Sequence, residues 1–474
     1  MILQSTSPFS IRKYSEPEET PNVMTLSREL TPDNMGKVIT VHTSSLFDSK
    51  QKRFVSDLSI SIDASTGLIT RVYKRDGPVN DASHPNTIDL RGLTVLPGLV
   101  DAHTHIFLHA YSEVSSLNQM RDESFVERVV RATNHAKAAL MAGYTTYRDL
   151  GTEGLRDADV NFRDTINRGI IPGPRMFVAT ECIASSGGYE TRLENGFPGV
   201  GQTAPRISDP ADGVDGVRAA VRRRLGAGAD IVKFYADYRK RILRYPKPSW
   251  PGELDVLFPP DDDAFTGKRN PNILLFTQEE MDAMVSEAKR SGAPICAHAQ
   301  SPEAVVMAAN AGVTSIEHGY MPSEEPLKAM KENNTIFVPT LAVYQVSLGD
   351  DSHVMKAILK HIKAAYDHGV KFAAGGDTGA FAHGENVFEL ELMAKAGIPV
   401  PEVLQAATLH GWEACGGDLC GKRFGLLDKG FVADIIAVDG NPTEDFSALR
   451  RVKFVMKDGI VYKDEHKRSS LVRV

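Results

Sequence analysis

Residues Thr94–His105 read TVLPGLVDAHTH, an apolar run rich in β-branched side chains that ends in His103-Thr104-His105. Side chains alternate faces along a strand, so residues two apart point the same way. Both histidines therefore leave one face of the strand at its C-terminal end. Two imidazoles so placed can share one metal ion at an ordinary Zn–N distance of about 2.0–2.1 Å. On its own an H-x-H pair is weak evidence, since surface or core histidines reach this spacing by chance. Its company strengthens it. Four later apolar runs each end in a residue a metal would take: Lys233 in DIVKFYA, His298 in PICAHA, His318 in SIEHG and Asp377 in FAAGGDTG.

Length and composition bound the reading. The chain has 474 residues, too many for one ordinary core and suited to a large barrel with an appendage. It is 42% hydrophobic and 24% charged, which excludes disordered and fibrous classes. The net charge is −7 and Lys/Arg are not massed in one segment, so nothing favours nucleic acid or an anionic membrane. Four cysteines in such a length do not make a disulfide framework. Cys296 reads as a core residue, and Cys415 and Cys420 have no partners at zinc-site spacing. No run reaches the roughly 18 apolar residues of a membrane span. The opening residues lack a continuous apolar leader core, so the expected location is the cytoplasm.

Taken in order, residues 1–35 are polar and read as a loose tail. Residues 36–94 alternate in short runs broken by Gly, Pro, Asn and Asp, which is strand-and-turn patterning. The last stretch, 416–474, repeats that pattern in ADIIAVDG, RVKFVMKDG and IVYKD. The two ends are expected to form one small β-sandwich. Between them, over 95–415, strand-like and helix-like runs alternate. Strands are expected at Val95–Ile106, Thr145–Leu150, Met176–Ile183, Asp230–Tyr235, Pro294–Ala299, Ser315–Glu317, Ile336–Leu341 and Lys371–Gly375. Helices are expected at Glu123–Ala142, Gly213–Gly226, Thr277–Ser291, Pro302–Ala311 and Val354–His368. Thr277 and Glu280 fit a capping box. Eight β/α units in about 300 residues suit an α/β fold of the (β/α)8 TIM-barrel type, whose chemistry sits at the strands' C-terminal ends.

Lys233 is the sharpest case. An unmodified ammonium among Ile231, Val232 and Phe234 is a desolvated charge unless something neutralises it. A buried Lys–Glu pair is one way, and reaction with CO2 to give an anionic carbamate is another. His298 or His318 alone reads as a core or surface histidine, and Asp377, among Gly375, Gly376 and Gly379, as a cap or turn residue.

The full set resembles the amidohydrolase superfamily, and within it the imidazolonepropionase-like branch of metal-dependent hydrolases. That branch includes Xaa-Pro and Xaa-Arg/Lys dipeptidases and ochratoxin-hydrolysing amidohydrolases. The resemblance runs from about Gly36 to Lys463 through LPGLVDAHTH, GYTTYRDLG, ADGVDGVRAAV, GADIVKFYADY, AHAQSPEAV, SIEHGY, GGDTGAFAHGEN, LQAATLHGWEACG and KGFVADIIAVDGNPTED, in that order. It implies a binuclear centre. His103, His105 and Asp377 would hold one divalent ion, His298 and His318 the other, with carbamylated Lys233 bridging them. A hydroxide between the ions would be the nucleophile, since a bound divalent ion lowers water's pKa from 15.7 to about 7. Asp377 would carry the proton to the leaving group. Zn2+ suits this donor set, with Mn2+, Co2+ and Fe2+ as alternatives.

Strand alternation puts Tyr235 on the face of Lys233, and Tyr320, two beyond His318, in a similar place. Both are candidates for substrate contact, as is His383 on the last loop. Dipeptidase and ochratoxin-hydrolysing relatives often carry Gly-Gly-His after the third strand. Here the segment is Ser186-Gly187-Gly188-Tyr189, so Tyr189 stands where an imidazole is usual. The stretch 236–276 opens basic, turns acidic and contains Trp250, Leu254, Leu257 and Phe258. Its length without periodicity suggests a lid over the site or a contact in a homo-oligomer. The expected substrate is a small molecule, with an amide to an amino acid as the nearer reading and a lactone, ester or organophosphate ester as the alternative. A metal-free scaffold is the reading of another class, and scaffolds lose ligands that this chain keeps.

Overall fold

A computed structural model describes residues 37–79, 84–188, 206–239, 272–319, 323–349 and 352–465. The fold is α/β, with parallel sheets in the middle of the chain and mixed sheets from its two ends. One parallel sheet has the order Arg175–Val178, Tyr144–Asp149, Leu99–Thr104. The other runs Ser208–Pro210, Cys182–Ala184, Val232–Tyr235, Ile295–Ala299, Ser315–His318, Ile336–Val338, Lys371–Phe372, with every pairing parallel. These strands are buried and apolar, as parallel strands covered on both faces must be.

Backbone hydrogen bonds join the two parallel sheets on both sides. Asp230 N donates to Val178 O at 2.8 Å. On the other side Ala102 N donates to Ala374 O at 2.8 Å, and His105 N to Thr378 O at 2.7 Å. The turn bearing Asp377 is thereby sewn to the strand bearing His103. The fit is close: a Cβ added at Gly375 would lie 2.6 Å from His103 N, so only glycine fits.

Helices lie between the strands and share their apolar core. Gly213–Gly226 and Pro302–Ala311 match the expected bounds, and Phe125–Met141, Gln278–Arg290 and His353–Asp367 lie within two residues of them. The capping box is present: Thr277 Oγ1 accepts from Glu280 N, and Glu280 Oε2 accepts from Thr277 N at 2.7 Å.

One expected strand is two. Thr94–Pro97 belongs to a terminal sheet and Leu99–Thr104 to a parallel one, with Gly98 between them. A Cβ at Gly98 would stand 2.1 Å from Thr145 Oγ1, so a bare backbone is needed where the chain changes sheets. The Met176–Ile183 run is likewise divided into Arg175–Val178 and Cys182–Ala184, with Thr180 at φ +62° between them.

The terminal strands form a six-stranded sheet in which Ile435–Val438 pairs antiparallel with Thr94–Pro97, and a four-stranded sheet over Val38–Asp89. Val41, Ile60 and Ile62 of the smaller sheet share a buried cluster with Val95, Ile435 and Phe454 of the larger. Of the 236–276 stretch, Asp237–Arg239 pairs antiparallel with Asn272–Leu274. The apolar residues expected to form a lid fall outside the described residues. Among the described residues no helix is long and apolar enough to cross a membrane.

Candidate metal centre

Five of the six expected ligands lie at or just beyond the C-terminal ends of parallel strands, Lys233 is the second residue of Val232–Tyr235, and all are buried apart from a little of Asp377. His105 follows the end of Leu99–Thr104, and Asp377 lies beyond Lys371–Phe372. Non-glycine residues in the left-handed region gather here: His318 (φ +76°), Asp377 (+60°), Glu153 (+51°) and Thr340 (+51°). Such backbone costs energy and persists where the surroundings hold it, commonly at functional sites.

Each histidine of the H-x-H pair spends one nitrogen on the protein. His103 Nδ1 lies 2.9 Å from Glu317 Oε2, and His105 Nδ1 lies 2.8 Å from the Gly151 carbonyl oxygen. Both acceptors fix the ring orientation and leave Nε2 for the centre. The two Nε2 atoms face the same oxygen, Asp377 Oδ1, at 3.7 Å and 3.2 Å. His318 Nδ1 is paired with Thr340 Oγ1 at 2.8 Å. Imidazole rings continue the cluster, with centroids 5.0 Å apart for His103–His318 and 4.5 Å for His298–His318. Ligand atoms of His103, His318 and Asp377 lie within 4.8 Å of one another, the one such group among the described residues. That group straddles the two ligand sets implied by resemblance.

Among the described residues, Lys233 Nζ and His298 Nε2 are buried with no hydrogen-bond partner. The Lys–Glu alternative is not what is seen. Glu317, a buried carboxylate that feels the Lys233 charge, is taken up by Arg148, Ser315 and His103.

Electrostatics follow from this packing. Burial, then the Lys233 charge, pulls His103 down to about 4. Burial and the neighbouring His103 take His318 to about 3, and burial holds His298 well below its ordinary value. These rings are neutral, with lone pairs to give. His105 goes the other way: burial opposes its charge, but the hydrogen bond to Asp377 and the charge of Glu153 lift it to about 10. Burial would raise Asp377, yet His103 and His105 hold its carboxyl well below the usual range. Two imidazole nitrogens aimed at one carboxylate oxygen form a donor set that a proton satisfies only in part. A divalent cation suits it, being bound by neutral imidazole and carboxylate.

The substrate-side candidates separate. Tyr235 does face the centre, its ring 5.1 Å from that of His298, and Tyr238 stands 5.2 Å from the same ring. His383 points elsewhere: Nε2 lies 3.0 Å from Leu108 O and Nδ1 3.4 Å from Tyr147 OH, and the ring stacks on His135 at 4.4 Å. It ties the loop after His105 to the last loop. Tyr189 and Tyr320 lie outside the described residues.

The profile of the amidohydrolase family matches residues 94–461, more than half of the chain. The chain belongs to the amidohydrolase family. Among curated proteins it is 27% identical to an ochratoxinase from Aspergillus niger over 440 residues, covering 86% of this chain and 82% of that one. It is 23% identical to an imidazolonepropionase from Clostridium tetani over 449 residues, covering 90% and 97%. Among solved structures, that of a Xaa-Pro dipeptidase with methionine bound in its active site matches with a TM-score of 0.71 and 31% identity, covering 90% of this chain and all of the other. This amidohydrolase is a metal-binding hydrolase acting on carbon–nitrogen bonds.

Sequence reasoning passed over several residues of the amidohydrolase centre. Asp101 is buried with donors on both oxygens: His103 N at 3.0 Å and Gly376 N at 3.4 Å on Oδ1, Asn386 Nδ2 at 2.6 Å and Thr378 Oγ1 at 2.7 Å on Oδ2. It clamps the H-x-H strand to the Asp377 turn. Glu153 stands 3.5 Å from His105 Nδ1. Glu317 and Arg148 form a fully buried ion pair at 2.7 Å. A signal existed for these, since each is a charged residue inside an apolar strand or at its end, in DAHTH, YRDLGTE and SIEHG.

Proposed function

We propose that this chain is a binuclear metal-dependent hydrolase that cleaves an amide bond between an amino acid and a small acyl group, of the dipeptide or N-acyl amino acid kind. The observation that carries this is the convergence of His103 Nε2 and His105 Nε2 on Asp377 Oδ1, beside the unpartnered Nζ of Lys233. His103, His105 and Asp377 would hold one cation, and His298 and His318 the other. Lys233, as a carbamate formed when its amine adds to CO2 and loses a proton, would supply a further anionic oxygen ligand. Cations bound there, Zn2+ by its match to nitrogen and oxygen donors, supply Lewis-acid polarisation and an acidified water. The chain's own residues do the rest. The Asp377 carboxylate accepts the proton of the attacking water and hands it to the departing nitrogen. Tyr235, packed beside His298, contacts the substrate carbonyl from the Lys233 side. The reading takes the two parallel sheets as arcs of one (β/α)8 barrel and the terminal sheets as a β-sandwich. An amide of an amino acid is favoured because the relatives include a Xaa-Pro dipeptidase and an ochratoxinase.

The test is metal reconstitution with a Lys233→Ala control, assayed over dipeptide and N-acyl amino acid libraries. Two divalent ions per chain are expected. The variant is expected to lose metal and turnover, and short carboxylic acids with added metal should restore part of both. Fewer than one ion per chain with full activity would sink the binuclear reading, and near-normal turnover of Lys233→Ala would sink the bridge.

A further inference from the structure

The histidine that opens the H-x-H pair is held from behind by a chain of buried polar groups. Glu317 and Arg148 are both 0% exposed. Arg148 Nη2 donates to Glu317 Oε1 at 2.7 Å, and Ser315 Oγ donates to the same oxygen at 2.6 Å. Arg148 Nη1 donates to Ser315 Oγ at 2.8 Å and to the Ala414 carbonyl at 3.1 Å, and Nε donates to the Ala102 carbonyl. Every donor in this set is directed, so the serine hydroxyl has one role left, to donate to Glu317. The carboxylate's other oxygen, Oε2, lies 2.9 Å from His103 Nδ1. An ionised carboxylate only accepts. The proton between the two must therefore sit on Nδ1, which leaves His103 Nε2 as the nitrogen with the lone pair.

We propose that Arg148, Ser315 and Glu317 form a positioning chain that imposes the Nδ1–H tautomer on His103 and so keeps a lone pair on Nε2, the nitrogen that faces Asp377. The tautomer stands on hydrogen-bond chemistry alone. Its consequence for metal affinity rests on the function proposed above. Outer carboxylates on ligating histidines fix ring orientation in this way, and their loss costs about 10- to 100-fold in metal affinity.

The Glu317→Gln substitution reverses the instruction. Arg148 and Ser315 still demand an acceptor where Oε1 stands, so the amide oxygen turns to them. The amide NH2 then faces His103 Nδ1, which has to accept, and the ring proton moves to Nε2, toward the centre. Ser315→Ala is the contrast, because Arg148 alone still holds the carboxylate in place.

The experiment is long-range 1H–15N correlation of the histidine rings in the metal-free protein, with His103 assigned by its loss in His103→Asn. Chelator-competition titration with Zn2+ accompanies it. The wild type is expected to show His103 protonated at Nδ1, Glu317→Gln at Nε2 with Zn2+ affinity at least 10-fold weaker, and Ser315→Ala at Nδ1. A wild-type His103 protonated at Nε2 overturns the proposal whatever the variants do. So does a folded Glu317→Gln protein that keeps both tautomer and affinity. If the wild type binds no Zn2+ but shows the Nδ1–H form, the positioning chain stands and the metal reading is what fails.

Discussion

Glu389, on the helix Val387–Lys395, is a buried carboxyl group behind the turn that carries Asp377. Ala342 N donates to its Oε2 at 2.7 Å, while Oε1 meets no donor among the described residues. Burial, only partly offset by the Leu341 and Ala342 backbone donors, pushes its pKa from 4.5 to about 8. A group raised on folding binds its proton more tightly in the native state, so the stability it lends is complete below 4.5 and is lost as pH rises through about 8. Between those limits the slope is up to about 1.4 kcal/mol per pH unit. Glu389→Gln keeps the shape and removes the titration. Thermal unfolding of the two proteins from pH 5 to 9 is expected to show midpoints that diverge as pH rises, with the variant the more stable at pH 9. Parallel curves would mean that Glu389 is not the protonated group. The six ligand-type side chains are legible in the sequence because each closes an apolar run. Glu389 is not, since a glutamate three residues into a helix looks like any solvated first-turn acid until its neighbours are known.

At the scale of the element, the sequence shows where strands and helices are but not where they change partners. The helix bounds fall close to expectation because caps are local chemistry: the Thr277 hydroxyl and the Glu280 carboxylate are read off four residues. TVLPGLVDAHTH looks like one strand because the apolar run continues across Gly98, and the reason for the break, contact with Thr145, lies on another strand. SIEHG hides a similar event. Adjacent residues of a strand face opposite ways, so Glu317 and His318 would not both reach His103 in regular geometry. At φ +76° His318 leaves that geometry, and both do reach it. The Gly98 contact gives an element-scale prediction. Gly98→Ala places a methyl against Thr145 Oγ1, Cγ2 and Cβ, all within 2.8 Å. The expected cost is about 1–3 kcal/mol in chemical denaturation. Thr145→Gly, combined with it, should recover part of that loss. Additive costs for the pair would show that the two positions do not meet.

At the scale of the whole molecule, the strands that carry the site and the sheet built from the chain ends are joined in two ways. One is apolar: Ile436, Val438, Val452 and Val455 of the terminal sheet belong to the same buried cluster as the parallel strands. The other is ionic. Arg175, which opens its strand at the end away from the site, is 2.7 Å from Asp434 and 2.7 Å from Asp458. Asp458 N also donates to Asp434 Oδ1 at 2.8 Å, so the two carboxylates are part of one assembly. Removing one partner of a buried pair is worse than never having it, because the remaining charge is stranded; the usual cost is about 3–5 kcal/mol. Arg175→Ala leaves Asp434 buried without its guanidinium, and a lower unfolding temperature is expected. The apolar seam predicts that unfolding remains one cooperative event, since neither sheet can leave without exposing the other's core. It also predicts kcat/KM within about two-fold of the wild type in the folded protein, because the cluster sits at the opposite end of the strands from His103 and Asp377. Scanning calorimetry separates the alternatives. One transition at reduced temperature means that the shared apolar cluster couples the two parts. Two resolved transitions in Arg175→Ala would mean that the ion cluster was the coupling, and the apolar account would be wrong.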